Sequence, residues 1–91
     1  MGSIRRVISP DVSEPPPETW SNCIVSNGIA YIAGLTARSP DGAAADLDDY
    51  RQAQVIFGKI KSLIEAAGGK MSDVVTITVY VTDIRRREQV W

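Results

Sequence analysis

Two short apolar runs flank an Asn-Gly pair in the first third of the chain. They cover residues 21–26 and 29–35 and enclose Asn27-Gly28. This arrangement predicts a β-hairpin with a type I′ turn, because both central positions of that turn need a positive φ. The second run is apolar at nearly every position, which is typical of a strand buried on both faces. Gly34 within it predicts a bulge or the close approach of a ligand or another backbone.

Apolar residues at three- and four-residue spacing predict one long amphipathic helix over residues 47–67. Its stripe consists of Ala53, Phe57, Ile60, Ile64 and Ala67, widened by Ile56 and Leu63. We expect Phe57 to be one of its most important core residues, and Lys59 and Lys61 to lie away from the stripe. Asp46 predicts the N-cap and Gly68-Gly69 the C-terminal stop.

Three aspartates lie near the predicted start of the helix, at positions 46, 48 and 49. Their spacing does not match a calcium-binding loop, which needs a glycine and a distal glutamate. Helix capping and the helix dipole explain them more simply. We therefore expect no metal site there.

The region before the hairpin predicts a short strand and then a loop. Residues 5–8 favour a strand that Ser9-Pro10 ends, since a residue before proline is driven toward extended geometry. Residues 11–18 include three consecutive prolines and predict a stiff surface loop. Trp20 follows this loop, where it either plugs the edge of the sheet or forms the wall of a ligand site.

The last quarter of the chain predicts a strand and the opening of a helix. Residues 74–81 are rich in β-branched side chains and predict a strand with two apolar or semi-apolar faces. Asp83 predicts the N-cap of a second helix over residues 84–91. Two turns are too few for a free-standing helix, so we expect the sequence to be cut short there.

Composition narrows the choice of function. The 91 residues are 44% hydrophobic and 23% charged, as in one ordinary soluble domain. A net charge of −1 argues against nucleic acid as a partner, and no apolar run approaches the roughly 20 residues of a membrane span. Cys23 is the only cysteine, which fits a reducing cytoplasm and a buried, inert thiol. The absence of histidine excludes Ser-His and Cys-His catalysis.

One helix covers only one face of a sheet, so the second apolar face of the strand at 29–35 needs another cover. Association between subunits is the simplest one. These residues alone predict a small α+β domain that forms oligomers, and they carry no catalytic signature.

The order of several short motifs is similar to that of a known family. The motifs are Trp20-Ser21-Asn22, Ala33-Gly34-Leu35, Ser39-Pro40-Asp41-Gly42, Ala66-Ala67-Gly68, Ser72-Asp73-Val74-Val75 and the run from Thr78 to Asp83. The sequence resembles the YjgF/Rid family, also called the L-PSP endoribonuclease-like family, over residues 4–91. The resemblance implies a chorismate-mutase-like α+β fold, a mixed sheet with helices on one face. Residues 1–91 would then form a single Rid-like domain that lacks the family's C-terminal part.

The resemblance also implies a homotrimer with ligand clefts between its subunits. Founding members hydrolyse reactive enamines and imines without a metal or cofactor, and an arginine clamps the carboxylate of the substrate. That arginine would lie beyond residue 91, so no catalytic residue is assigned.

Ser21 and Gly34 match site positions of the family, and four other site positions differ. The residues that differ are Trp20 in place of tyrosine, Ala33 in place of serine, Leu35 in place of glutamine and Trp91 in place of asparagine. We therefore expect a relatively apolar pocket near these residues at a subunit boundary, suited to larger and less polar ligands.

Three functions follow from this resemblance. The first is a cofactor-free hydrolase of imines, and the second is a non-catalytic trimeric module that binds a small ligand or has a regulatory role. A ribonuclease or translation inhibitor, suggested by the other family name, ranks third because the near-neutral charge gives it no support.

Overall fold

The computed structural model describes residues 4–38 and 47–90 of the chain. Within them, an antiparallel sheet of order β1-β2-β3 packs on one α-helix, which agrees with the predicted α+β class. The elements are β1 (Ile4–Val7), β2 (Cys23–Ser26), β3 (Ile29–Ile32), α1 (Asp49–Ala66) and two 3₁₀ segments, Met71–Asp73 and Ile84–Gln89.

The hairpin forms as the Asn-Gly pair predicts. Asn27 has φ 52° and Gly28 has φ 78°, the two positive values that a type I′ turn requires. Cys23 pairs with Ile32 at the open end of the hairpin. Because β3 ends at Ile32, Gly34 lies in the segment after the strand and not in a bulge within it.

Helix α1 has a side-chain cap at its start and a glycine turn at its end. The cap is Asp48, whose carboxylate accepts a hydrogen bond from the Arg51 amide at 2.8 Å. The predicted cap, Asp46, lies outside the described residues, and Asp48 takes this role because its extended backbone lets the carboxylate reach the third amide of the helix. At the other end, Gly68 has φ 96°, and the amides of Gly68 and Gly69 donate to carbonyls of the last turn at 3.0 and 2.9 Å.

The core lies between α1 and the face of the sheet turned toward it. Cys23 and Leu63 are fully buried at its centre, with Val7 and Val12 packed around them. Phe57 was expected at this centre, but it is only half-buried. Strands of four residues span about 13 Å, whereas α1 is about 27 Å long, so the sheet covers only part of the apolar stripe.

The opposite face of the sheet is also apolar but has no cover within the described chain. Strand pairing places Ile4, Ile29 and Tyr31 on this face. Their exposed fractions are 72%, 54% and 59%. The prediction that this strand is buried on both faces is therefore not met within the described chain: Ile29, Ala30 and Tyr31 are exposed and Ile32 is half-buried, because α1 reaches only one face of the sheet.

The strand predicted over residues 74–81 does not form. The backbone there makes no ladder pairing, and Val75 and Tyr80 are 95% and 92% exposed. A strand needs a hydrogen-bonded neighbour, and β-branched residues only favour a surface of that kind. The predicted second helix is a 3₁₀ segment, although Asp83 caps it as expected by accepting from the Arg85 amide at 3.0 Å.

Candidate functional site

A pocket of about 350 Å³ lies between the proline loop, the segment after β3 and α1. Its apolar wall consists of Val12, Pro15, Trp20 and Leu35. Its polar lining consists of Ser13, Glu14, Asn22, Thr36, Arg38 and Lys59. Gly34 also lines the pocket. A cavity of this size and mixed character suits one small organic ligand.

The pocket brings together three of the residues that sequence analysis selected, Trp20, Gly34 and Leu35. Ser21 and Ala33 are next to these residues in the chain but do not line the pocket, and Trp91 lies outside the described residues. Trp20 is 56% exposed, so it forms a wall of the pocket and does not plug the edge of the sheet.

Trp20 is presented by a tight turn at the end of the proline loop. The Thr19 amide donates to the Pro16 carbonyl at 3.3 Å, and the Thr19 hydroxyl donates to the same oxygen. Glu18 within this turn has φ 64°, a left-handed value that glutamate rarely adopts. Backbone strain of this kind is often found at binding sites, where the surrounding structure holds it.

Asn22 holds the other part of the proline loop. Its side chain is buried, and its Nδ2 donates to the Ser13 carbonyl at 2.9 Å and to Glu14 Oε2 at 3.3 Å. The backbone carbonyl of Asn22 accepts from the Ala33 amide at 3.0 Å. Asn22 therefore connects the two chain segments that carry the pocket wall.

Glu14 is the carboxylate of the pocket lining. Its Oε1 pairs with Arg6 of β1, while its Oε2 accepts from Asn22. Both oxygens thus have donors in the folded chain. Sequence analysis missed Glu14 because the pairing depends on how the loop folds back over β1.

Lys59 joins α1 to the segment after β3. Its Nζ donates to the Thr36 carbonyl at 2.8 Å and to the Arg38 carbonyl at 2.7 Å. Partial burial lowers the pKa of Lys59. The helical pattern placed this side chain away from the stripe, and no local signal predicts a contact with residues 21 and 23 positions earlier.

Gly34 leaves open space at the edge of the pocket. A Cβ placed on it would meet no atom within 4 Å, and its φ is not left-handed. The absence of a side chain therefore affects the room available to a ligand more than it affects the packing of the chain itself.

The polar lining changes the expected character of the pocket. Trp20 and Leu35 give the pocket apolar surface, as predicted. Glu14, Arg38 and Lys59 add charged groups to its lining. A ligand with an apolar body, a carboxylate and a basic or polar nitrogen would complement all of these groups.

Residues 4–38 and 47–90 contain neither a membrane-spanning helix nor a cluster of metal-binding side chains. No helix there combines the length and apolar character needed to cross a membrane. In the same residues, no cluster of three or more histidine, cysteine or acidic side chains is placed to hold a metal ion.

Two solved structures are similar to this fold. A protein of unknown function from Pseudomonas aeruginosa superposes with a TM-score of 0.89 at 33% identity, covering 99% of this chain and 66% of that one. The conserved Rid family protein YyfA from Yersinia pestis gives 0.86 at 26% identity, covering 97% and 70%.

Curated relatives match at a similar level of identity. A 2-iminobutanoate/2-iminopropanoate deaminase of Dermatophagoides farinae is 28% identical over 82 residues, which cover 87% of this chain and 62% of the relative. A RutC family protein of Aquifex aeolicus is 28% identical over 71 residues, covering 78% and 57%. The chain thus spans about three fifths of the length of these relatives.

The family described as Endoribonuclease L-PSP matches residues 12–91, a range that contains the whole pocket. Since this match covers most of the chain and Rid proteins share its fold, the chain belongs to the YjgF/Rid, or L-PSP endoribonuclease, family.

Proposed function

We propose that this chain acts as a Rid-type hydrolase of reactive imines and enamines and needs no metal or cofactor. The observation that carries the proposal is that Trp20, Gly34 and Leu35, chosen from family motifs, line one pocket. The relative named as a 2-iminobutanoate/2-iminopropanoate deaminase supports the same class of reaction.

The reaction is the addition of water to the carbon of a C=N bond. Breaking the C–N bond then releases ammonia and leaves a 2-oxo acid. The chain has no histidine, so proton transfer must use a carboxylate, another side chain or water. Glu14 is the carboxylate in the pocket, and Arg38 is the guanidinium suited to bidentate binding of a substrate carboxylate.

The preferred substrate in this proposal is an imine whose side chain is larger and less polar than that of 2-iminobutanoate. Trp20 offers a broad apolar surface, and Leu35 stands where the family usually has glutamine. An aromatic or branched side chain would bury more apolar area against this wall than a short one.

We further propose that the working form is a cytoplasmic homotrimer, with the pocket at a boundary between subunits. The uncovered sheet face with Ile4, Ile29 and Tyr31 supports association, and the buried free thiol of Cys23 fits a reducing compartment. Light scattering at micromolar concentration tests the assembly, and a monomer there would contradict this part of the proposal.

The activity is tested with imines generated in the assay by an amino-acid oxidase. Release of the 2-oxo acid is compared for wild type and Gly34→Leu, with 2-iminobutanoate and the imine of phenylalanine as substrates. We expect wild-type turnover, faster with the phenylalanine imine, and loss of turnover in Gly34→Leu with unchanged helix content. Equal rates in the two proteins would contradict the assignment of the pocket.

A non-catalytic binding module is the second candidate, and one observation favours it. Both oxygens of Glu14 already accept from Arg6 and Asn22, so this carboxylate is less available to contact a substrate or a water. In that case phenylpyruvate would bind, and Gly34→Leu would abolish its binding, but no imine would be hydrolysed faster than in buffer.

A further inference from the structure

Lys59 makes the hydrogen bonds that join α1 to the segment following β3. Its Nζ lies 2.8 Å from the Thr36 carbonyl oxygen and 2.7 Å from the Arg38 carbonyl oxygen. The donor in both hydrogen bonds is a charged ammonium group, which makes them stronger than hydrogen bonds between neutral groups. The side chain as a whole is partly buried, although both hydrogen bonds lie at the exposed surface.

The segment that receives these bonds is held at one point by packing, since Leu35 contacts the core cluster, but by few other hydrogen bonds. It has no regular secondary structure after Ile32. Among the described residues, the hydrogen bonds that attach residues 34–38 to another element are those from Lys59; the Arg38 amide donates only locally, to the Thr36 hydroxyl at 3.4 Å. Ala37 between the two carbonyls is buried and adds a small apolar contact.

The same segment carries much of the pocket wall. Gly34, Leu35, Thr36 and Arg38 all line the pocket, as does Lys59 itself. The backbone position of Arg38 determines which part of the pocket its guanidinium group can reach. The position of Leu35 determines the width of the pocket at its apolar wall. A change at Lys59 would therefore alter the shape of the site through the backbone of residues 34–38.

We propose that Lys59 is a positioning residue that fixes the 34–38 wall of the pocket and thereby sets its affinity for carboxylate ligands. The link to ligand binding rests on the proposed function, whereas the effect on the wall does not. Lys59 acts through the backbone carbonyls of Thr36 and Arg38. Its expected effect is on substrate affinity and not on the chemical step.

The test compares Lys59→Met with Lys61→Met. Methionine keeps an unbranched apolar stem but removes the donors, and Lys61 is an exposed residue on the same helix. Backbone order parameters from ¹⁵N relaxation are measured for residues 33–38 and 49–66. Phenylpyruvate binding is measured by titration calorimetry, and KM and kcat are measured with the imine of phenylalanine.

In Lys59→Met we expect lower order parameters at 33–38 with little change in α1, and phenylpyruvate binding weakened by about tenfold or more. KM should rise by a similar factor while kcat changes little. Lys61→Met should match wild type, and Lys59→Arg, which keeps several donors, should restore part of the affinity.

Unchanged order parameters at 33–38 in Lys59→Met would overturn the proposal, as would unchanged phenylpyruvate binding by an active protein. Uniformly lower order parameters across α1 and 33–38 would also overturn it, because they would mean a general loosening of the fold. A wild type that neither binds phenylpyruvate nor hydrolyses the imine would refute the proposed function, and the order parameters at 33–38 alone would then decide the role of Lys59.

Discussion

Asn22 and Ser13 are joined by a hydrogen bond of 2.9 Å from the Asn22 Nδ2 to the Ser13 carbonyl oxygen, although nine residues separate them. The amide that donates is buried and reaches Glu14 Oε2 at 3.3 Å as well. One side chain thus holds the proline loop against the start of β2 and keeps one wall of the pocket in place.

Asn22→Asp should destabilise the protein more than Asn22→Ala. Alanine removes the donor, at a cost of about 0.5–1.5 kcal/mol per lost hydrogen bond, because Ser13 and Glu14 are exposed and can bond to water instead. Aspartate has nearly the same shape but would place a buried carboxylate against the Ser13 carbonyl and the Glu14 carboxylate. Urea unfolding at pH 7 and pH 4.5 measures this, and the deficit of Asn22→Asp should shrink at the lower pH. The opposite order of the two variants would show that the amide is not the important group.

Leu63→Ala should be the most damaging apolar substitution in α1. Leu63 is fully buried against the sheet, so its loss should cost about 2–5 kcal/mol. Phe57→Ala should cost less because Phe57 is half-buried, and Lys61→Ala should cost under about 0.5 kcal/mol. Chemical denaturation of the three variants ranks them, and a larger loss for Phe57→Ala would contradict the position of the core.

Cys23 should make stability fall at alkaline pH. Burial raises the pKa of its thiol, an effect that the nearby positive charge of Arg5 opposes. The Cys23 thiol therefore ionises at a lower pH in the unfolded chain than in the folded chain. The stability that Cys23 contributes is fully present below the pKa of the unfolded thiol and is lost as pH rises above about 8.5.

The free energy of unfolding should therefore decline more steeply between pH 8 and 10 in wild type than in Cys23→Ala. The lowered pKa of Lys59 makes stability rise with pH, the opposite of the thiol's effect. Because Lys59 is present in both proteins, the comparison isolates the contribution of the Cys23 thiol. Alkylation by iodoacetamide provides a second measurement: Cys23 should react slowly when folded and rapidly in denaturant. Equal slopes in the two proteins would contradict this prediction.

Asp48→Ala should weaken the start of α1. The Asp48 carboxylate accepts from the Arg51 amide at 2.8 Å, and loss of such a cap costs about 0.5–2 kcal/mol. Asp48→Asn keeps an acceptor and should lose much less. Thermal unfolding followed by circular dichroism measures both variants, and an equally large loss for asparagine would assign the effect to charge and not to the cap.

Sequence analysis succeeded where a structure depends on residues close together in the chain. The Asn27-Gly28 turn and the glycine end of α1 formed as predicted because each is determined by local φ preferences. The prediction of a strand at 74–81 was wrong because strand pairing depends on a distant partner that local composition does not reveal.

The candidate site was predicted in part for the same reason. Trp20, Gly34 and Leu35 were found from motifs and lie together in the pocket. Glu14 and Lys59 were missed, since their roles come from Arg6 across the sheet edge and from carbonyls more than 20 residues away. Charged side chains of this kind look like ordinary surface residues until the chain folds.

The unpaired segment 74–81 should also affect how the protein behaves at high concentration. It contains no charged residue, proline or glycine, and most of its side chains are exposed. These are the properties of segments that stack into cross-β fibrils when their backbone groups are unpaired. Solutions of this chain should therefore form thioflavin-positive aggregates, and Ile77→Lys, which adds a charge in the middle of the segment, should delay them.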